Sequence, residues 1–160
     1  MDEQLTSLHD ALSESAIGLN EHLKGREAAV RRSGDLLTVG GRVDPAYTDE
    51  MLATLAEYGP YIVIAPGVAL AHSRPSPAVH GVAFSILTLD PPVAFGHAEN
   101  DPVRLVVGMA APDDQSHIEA LRQLAELLGD DARRERLMAA TTAQEVLALI
   151  GTGEGKGASG

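Results

Sequence analysis

The 160-residue sequence contains no cysteine and no tryptophan, and it has only three tyrosines and two phenylalanines. The absence of cysteine excludes disulfide bonds, thiolate metal sites and a thiol nucleophile within this chain. Basic residues are also scarce, because 12 lysines and arginines stand against 23 aspartates and glutamates, which gives a net charge of −11. Nucleic-acid binding requires basic and aromatic side chains, so we expect no nucleic-acid partner. A protein partner should tolerate an acidic surface or present a basic one.

Long apolar runs are missing as well. The longest covers residues 61–71, far short of the ~20 residues that a membrane-spanning helix needs, and Pro66 and Gly67 interrupt it. The N-terminus does not have the pattern of a signal peptide, so we expect a cytoplasmic protein. Residues 151–160 are rich in glycine and have no apolar anchor, which predicts a flexible tail after a single domain of residues 1–150.

The hydrophobic pattern predicts helices on either side of a central block of strands. Short runs rich in β-branched residues form that block. Helices before and after the strands indicate an α/β sandwich, in which helices cover the faces of a sheet. Strands are predicted at 61–65, 82–89 and 103–110, and helices at 5–12 (a short helix or an arm), 26–37, 45–58, 117–128, 132–140 and 143–150.

Three of the predicted helices carry recognisable start signals. Asp44 is a suitable N-cap before Pro45 at the first helical position. Ser116 is suited to cap the helix after the third strand, and Thr142 with Glu145 has the spacing of a capping box. The helix that follows Ser116 is predicted to bury a face made of Ile118, Leu121, Ala125 and Leu128.

Without cysteine, the six histidines are the natural candidates for reactivity near neutral pH. His9 and His22 lie on polar N-terminal segments, and we expect both at the surface. His80 directly precedes a predicted strand and is expected to be structural or solvated. His97 lies in a polar loop between the second and third strands, where it either lines a site or caps the loop.

His72 and His117 have more informative surroundings. His72 follows the apolar run and begins a proline-rich loop, and polar residues at the ends of buried strands often carry function. His117 stands in the first turn of a predicted helix, where the N–H groups and the helix dipole favour an anion and a neutral imidazole. If they met, the two would form a nucleophile with a receptor for a phosphoryl group. A solvated loop histidine and a surface residue of the first turn remain the alternatives.

Two other kinds of site find little support in the spacing. A metal site would draw on some of His72, His97, Asp101 and His117, but no pair has the spacing of H-E-x-x-H and no compact ligand cluster is present. The phosphate-binding pattern G-x-x-x-x-G-K-[ST] is also absent, which argues against a nucleotide-dependent kinase. We therefore expect no metal and no cofactor.

The segments around these histidines resemble a known family. Residues 59–75, GPYIVIAPGVALAHSRP, are similar to the active histidine segment of enzyme IIA of the bacterial phosphoenolpyruvate-dependent sugar phosphotransferase system, mannitol-fructose class, and most like its ascorbate-type branch. The resemblance covers residues 36–150. It implies the mannitol-type enzyme IIA fold, which is a single α/β domain with a mixed β-sheet sandwiched by helices. Further similar segments are 93–97, 100–103, 116–118 and 141–147.

The resemblance implies a phosphoryl relay. In that family a histidine accepts the phosphoryl group from the phosphocarrier protein HPr and passes it to a cysteine of enzyme IIB, which serves the membrane component enzyme IIC. The role of acceptor falls on His72, and the role of stabilising the phosphoryl group falls on His117. Arg74, Ser73 and His97 are further candidates for contact with the phosphoryl group.

The sequence departs from the family pattern in two places. Ala71 stands where the family usually has proline, so the fixed φ angle beside the nucleophile is lost. The arginine that the mannitol branch uses upstream of the nucleophile has no counterpart, and Arg74 is the nearest cation. A regulatory module that signals through its phosphorylation state therefore remains an alternative to the relay, and a metal-dependent hydrolase is a third reading. The sequence leaves the sugar, the phosphorylated ring nitrogen and the oligomeric state open.

Overall fold

The computed structural model describes residues 11–150, so the predicted tail, His9 and most of the segment 5–12 lie outside the described residues. None of the helices formed by residues 11–150 combines the length and apolar character that crossing a bilayer requires. The strands are β1 (Ile17–Glu21), β2 (Val63–Ala65), β3 (Val68–Ala71), β4 (Ala83–Val93) and β5 (Val103–Ala110). The helices are α1 (Arg26–Thr38), α2 (Ala46–Tyr58), α3 (Asp114–Leu128), α4 (Asp131–Ala139) and α5 (143–150), with single 3₁₀ turns at Glu14–Ala16 and Gly59–Ile62.

The five strands form one mixed sheet in the order β1-β4-β5-β3-β2. The pairs β1/β4 and β3/β5 are parallel, whereas β4/β5 and β2/β3 are antiparallel. The mixed sheet between helices that the sequence predicts is confirmed.

Each face of the sheet is covered by a separate layer of helices, because side chains point alternately to opposite faces along a strand. Buried apolar residues accordingly form two clusters, one on each face. On the face covered by α1 and α2 the cluster includes Val30, Leu37, Tyr47, Leu55, Leu87 and Val106. On the face covered by α3, α4 and α5 it includes Phe84, Ile86, Leu105, Val107, Leu124 and Val146.

The register of β3 and β5 determines where the candidate site lies. These parallel strands place Ala71, the last residue of β3, opposite Gly108 near the end of β5. His72 directly follows β3, and α3 begins four residues after the end of β5. Because parallel strands end at the same edge of a sheet, the segments that carry His72 and His117 emerge side by side.

Some predicted elements differ from the observed ones. The run 61–71 is not one strand plus a loop: Gly59–Ile62 forms a 3₁₀ turn, and β2 and β3 then make a tight antiparallel pair. The edge strand β1 was not predicted at all. It contains a glycine and an asparagine, and Asn20 adopts a positive φ of 53°, so it shows neither β-branched enrichment nor a regular alternation.

The predicted caps of two helices are wrong. Ser116 does not cap α3: Asp113 is the N-cap, and its side chain accepts a hydrogen bond from the Ser116 N–H at 2.8 Å. Asp44 makes no side-chain cap on α2, and its carboxylate instead lies 3.2 Å from His80 Nε2. The capping box of α5 is confirmed, because Glu145 accepts from the Thr142 N–H at 3.1 Å and Thr142 accepts from the Glu145 N–H at 3.2 Å.

The predicted buried face of α3 is also largely wrong. Ile118 is 68% exposed, although its spacing places it on the apolar stripe. The first turn of α3 lies beyond the end of β5, so Ile118 has no sheet to pack against. The residues of α3 that are buried are Ala120, Leu124, Leu127 and Leu128.

Candidate functional site

A surface groove of about 540 Å³ contains both His72 and His117. Its walls come from α2, from the segment around β2, and from the loop that follows β3. The structure therefore brings together the two histidines that the sequence singles out. The other lining side chains include Glu50, Thr54, Glu57, Tyr58, Tyr61, Ile64, Ser73 and Arg74.

The two imidazole rings face each other at short range. Their centroids are 5.7 Å apart and their planes are inclined by 42°. Both residues are half-buried and line the groove. A group bound to one ring would lie next to the other.

The backbone fixes the tautomer of His72. Nδ1 of His72 lies 3.1 Å from the carbonyl oxygen of Leu70. A carbonyl oxygen can only accept a hydrogen bond, so Nδ1 carries the proton. The lone pair of the neutral ring is then on Nε2, which makes Nε2 the nucleophilic nitrogen.

His117 is held in its neutral form. Burial lowers the pKa of His117, and the neighbouring His72 lowers it further, while Asp114 has a smaller opposing effect. Nε2 of His117 is buried and has no hydrogen-bond partner among residues 11–150. Leaving a buried polar atom unpaired costs free energy, which a ligand that pairs with it would recover. An oxygen atom that reached this nitrogen from the groove would pair it, which makes His117 a candidate ligand for a group bound there.

The start of α3 does not provide the anion receptor that the sequence predicts. The side chain of Asp113 accepts from the Ser116 N–H, and the His117 N–H donates to the Asp113 carbonyl at 3.0 Å. The negative charge of Asp113 also counters the positive end of the helix dipole. The contribution of α3 to the groove is the His117 side chain itself.

Ser73, which follows His72, is held in the fold by three hydrogen bonds. Its N–H donates to the hydroxyl of Tyr47 at 2.8 Å, and its carbonyl oxygen lies 3.0 Å from the same hydroxyl. Its own hydroxyl is hydrogen-bonded to that of Thr54 at 3.0 Å. Sequence analysis missed Tyr47 and Thr54, because nothing in the local pattern of α2 links them to a loop about 20 residues away.

The charged groups of the groove have both signs. Arg74 is exposed and is the one lysine or arginine among its lining residues, and it lies two positions after His72. Glu50 and Glu57 also line the groove, from α2. The groove thus offers a cation to an anionic group and carboxylates to a basic partner.

Tyr58, Tyr61 and Ile64 line the groove and Ile118 directly follows His117 in the chain, and we call these four exposed side chains the apolar rim. The exposed fractions of these side chains are 44%, 81%, 48% and 68%, respectively. Exposed apolar side chains grouped around a polar site are typical of a surface to which another protein binds.

The structure does not bring His97 into this groove. Its loop contacts the start of β3, where the Gly67 N–H donates to Asn100 O at 2.8 Å, at the end of the strand opposite to His72. Nδ1 of His97 accepts from the N–H groups of Glu99 and Asn100 at 3.1 and 3.0 Å, so His97 caps its own loop.

The remaining candidates also lie elsewhere. His22 is exposed, and His80 is exposed beside Asp44. Within residues 11–150 no three histidine or carboxylate side chains are grouped so that they could hold a metal ion.

Comparison with known families identifies the chain. The sequence profile of the family "Phosphoenolpyruvate-dependent sugar phosphotransferase system, EIIA 2" matches residues 10–152. The chain belongs to this enzyme IIA family. The resemblance noted from the sequence is confirmed, and the chain is a phosphotransferase component of the sugar phosphotransferase system.

Relatives of this enzyme IIA include proteins named for a particular sugar. The ascorbate-specific phosphotransferase system EIIA component of Salmonella choleraesuis is 41% identical over 145 residues, which are 89% of this chain and 94% of that protein. The solution structure of a mannitol-specific cryptic enzyme IIA of Escherichia coli is 29% identical and has a TM-score of 0.79, covering 89% of this chain and 97% of that one. The predicted mannitol-type fold is confirmed.

One structural neighbour of this enzyme IIA was solved with another component of its system. It is the mannitol enzyme IIA of Escherichia coli in complex with phosphorylated enzyme IIB, 28% identical with a TM-score of 0.77 over 88% of this chain and 96% of that one. An enzyme IIA of this fold thus pairs with enzyme IIB.

Proposed function

We propose that this enzyme IIA accepts a phosphoryl group from phospho-HPr on Nε2 of His72 and passes it to a cysteine of enzyme IIB in an ascorbate uptake system. The observation that carries the proposal is the pairing of His72, whose Nδ1 is held by Leu70 O, with His117, whose buried Nε2 has no partner among the described residues. The Salmonella relative named as ascorbate-specific supports the sugar, and the complex of the mannitol enzyme IIA supports the acceptor.

In the first step the phosphoryl group moves in line between two nitrogens. The P–N bond of the HPr phosphohistidine breaks as a P–N bond to Nε2 of His72 forms, and the electron pair of the broken bond returns to the HPr ring. The His72 ring becomes positive, and the Nδ1–H bond to Leu70 O stabilises that charge. The transition state is loose, so positioning and charge stabilisation provide most of the catalysis.

His117 stabilises the oxygens of the transferred group. Its neutral ring, with a proton on Nε2, donates a hydrogen bond to an equatorial oxygen from within a partly desolvated groove. The exposed Arg74 is available to neutralise charge on the open side.

In the second step the thiolate of enzyme IIB attacks the same phosphorus. A P–S bond forms as the P–N bond to His72 breaks, and the ring returns to its neutral form with the proton still on Nδ1. Both protein partners must therefore reach the same nitrogen in turn, which the exposed apolar rim around the groove allows.

The proposal is tested by phosphorylation in vitro. The protein is mixed with phosphoenolpyruvate, enzyme I and HPr, and phosphate that is acid-labile and base-stable is expected on the wild type and on His80→Ala, but not on His72→Ala. His80 is the matched control because it is an exposed histidine outside the groove. Absence of this phosphate from the wild type, or its presence on His72→Ala, would sink the proposal.

Transfer of the phosphoryl group to enzyme IIB distinguishes a relay component from a regulatory module. Phosphorylated protein is chased with enzyme IIB of an ascorbate system and, separately, with enzyme IIB of a mannitol system. Faster discharge to the cysteine of the ascorbate type supports the proposed sugar, and faster discharge to the mannitol type overturns it. Discharge to neither contradicts the relay and favours the regulatory alternative.

A further inference from the structure

We infer that Tyr47 is a positioning residue for phosphoryl transfer at His72, because its hydroxyl fixes the backbone after the nucleophile to the end of β5. The inference rests on the proposed function and deepens it. Tyr47 lies on α2 and is not among the residues that line the groove, and its side chain is fully buried in the apolar layer between α2 and the sheet. It does not touch the transferred group.

The Tyr47 hydroxyl is the meeting point of three backbone groups. It accepts a hydrogen bond from the Ser73 N–H at 2.8 Å. Its proton is shared between the carbonyl oxygens of Ser73, at 3.0 Å, and Met109, at 3.1 Å. A single hydroxyl thus pairs with the N–H and carbonyl groups of Ser73 and with the carbonyl group of Met109, which belong to the two segments that lead to the site.

This hydroxyl stands where the sheet can no longer hold the two segments together. The pairing of β3 with β5 ends at Ala71 and Gly108, directly before His72. Beyond Ala71 the chain leaves the sheet toward Ser73, whereas β5 continues beside β4 to Ala110 before α3 begins. The Tyr47 hydroxyl joins Ser73 to Met109 across that gap, so the segment of the nucleophile and the segment that leads to His117 keep a fixed separation.

Two further features indicate that this connection matters for position. Ala71 has no pyrrolidine ring, so the φ angle of the residue before His72 is not fixed covalently, and a restraint on the residue after His72 adds to what the β3–β5 pairing provides. Thr54, further along α2, donates a hydrogen bond from its hydroxyl to the Ser73 hydroxyl at 3.0 Å. Tyr47 and Thr54 are seven residues apart on α2, which is two helical turns, and therefore present both hydroxyls to the same loop.

A small displacement of His72 would be costly for transfer. In-line attack requires Nε2 and the phosphorus to be aligned at short distance, and an error of about 1 Å in such a geometry costs about 100-fold in rate. Binding of HPr depends instead on the exposed rim. Loss of the Tyr47 hydroxyl should therefore affect the maximal rate and leave binding of HPr unchanged.

The test compares Tyr47→Phe with Thr88→Val. Each substitution removes one buried hydroxyl that accepts a hydrogen bond from a backbone N–H. Thr88 accepts from the Asn20 N–H at 2.7 Å. Thr88 lies opposite Leu105 in the sheet, far from the candidate site. Single-turnover transfer from phospho-HPr is measured over a range of HPr concentrations. We expect the maximal rate of Tyr47→Phe to fall by roughly 10- to 100-fold with an unchanged half-saturating concentration, and Thr88→Val to match the wild type.

A second readout needs no phosphoryl group. The ¹⁵N shifts of the His72 ring should show the Nδ1–H tautomer in the wild type and in Thr88→Val, and a mixture of tautomers in Tyr47→Phe. An unchanged maximal rate in Tyr47→Phe, an equal loss in Thr88→Val, or an unchanged tautomer would each overturn the inference. If Tyr47→Phe does not fold, hydrogen exchange of the Ser73 amide is measured in the wild type. Protection of this amide supports its hydrogen bond to the Tyr47 hydroxyl, and exchange at the rate of an unstructured amide overturns the inference.

These outcomes differ from a failure of the proposed function. If the wild type accepts no phosphoryl group, the proposed function fails in the wild-type sample itself. The tautomer and the amide exchange are still measured on that sample, and they test the Tyr47 connection separately.

Discussion

The imidazole rings of His72 and His117 lie with their centroids 5.7 Å apart, close enough for the charge state of one to control the other. Burial and the His72 ring both lower the pKa of His117, which favours the neutral imidazole. In the proposed function the pair is a nucleophile and a neutral hydrogen-bond donor, and the same proximity would couple phosphorylation of His72 to the titration of His117.

Phosphorylation of His72 is expected to raise the pKa of His117. A phosphoryl group adds about −1.5 to −2 charge next to the ring, and a nearby negative charge favours the imidazolium form. Titration of His117 by NMR in the free and the phosphorylated protein, at pH values where the phosphohistidine survives, measures this shift. A lower pKa in the phosphorylated form would contradict the geometry, and His72→Gln provides the uncharged reference.

Replacement of His117 should slow transfer more than it weakens docking. Removing one donor to a developing oxyanion costs about 100- to 1,000-fold in rate in comparable sites. We expect His117→Ala to lose rate in this range at saturating HPr while the half-saturating concentration is unchanged. Part of the rate should return in His117→Gln, whose amide can also donate. An equal loss in rate and in affinity would instead assign His117 to docking.

Ile118 is expected to act in docking alone. It is 68% exposed beside His117, and apolar side chains of this kind contribute about 1–2 kcal/mol to protein interfaces. Ile118→Ser should raise the half-saturating concentration of HPr by about 10-fold, without a loss in the free energy of unfolding or in the maximal rate. Val39, 51% exposed at the end of α1 and not adjacent in the chain to either histidine of the groove, provides the control Val39→Ser. Equal effects of the two substitutions would argue against an interface at Ile118.

Gly108 lies opposite Ala71 in the sheet, and its lack of a side chain lets two core hydroxyls pack against it. A Cβ atom there would collide with the hydroxyls of Ser85 and Ser33, which lie 3.2 Å from each other in the core. Gly108→Ala should therefore lower the free energy of unfolding by about 1–3 kcal/mol, as overpacking does. Gly40→Ala is the control, because its Cβ would meet no atom within 4 Å.

A double substitution distinguishes a collision with the Ser85 hydroxyl from a general effect of alanine at residue 108. In Gly108→Ala combined with Ser85→Ala, the nearest obstacle is gone. The loss in the free energy of unfolding should be smaller than the sum of the two single losses. Strict additivity in urea denaturation would show that the Ser85 hydroxyl is not the obstacle to a Cβ atom at residue 108.

The layered fold could be predicted because its signals are local. The β-branched run of β5 and the capping box of α5 are read within a few residues, and both are observed. The first turn of α3 could not be predicted in the same way. Helical spacing marks Ile118 as apolar, but whether a sheet lies beneath it depends on where β5 ends in space.

Of the candidate site, the sequence could predict only the two histidines of the groove. His72 and His117 stand out because imidazole is a rare reactive group at the boundaries of regular elements. The Tyr47 hydroxyl gives no such signal, since its partners Ser73 and Met109 lie 26 and 62 residues away in the chain. The groups that hold a reactive side chain in place belong to the tertiary structure, and a local pattern does not reveal them.

Tyr47 should make the stability of the protein sensitive to alkaline pH. Burial raises the pKa of Tyr47 to about 12, whereas an unfolded chain has a tyrosine pKa of about 10. The unfolded state therefore releases this proton first, and the stabilisation is complete below pH ~10 and lost as the pH rises toward ~12. A difference of about 2 pKa units corresponds to about 2–3 kcal/mol. Tyr47→Phe has no proton to lose at this position, while Tyr58 and Tyr61 titrate in both proteins. The free energy of unfolding is measured in urea from pH 9 to 12 for both proteins, and that of the wild type should fall relative to that of Tyr47→Phe by this amount. A difference that stays constant over this pH range would show that the hydroxyl is not buried.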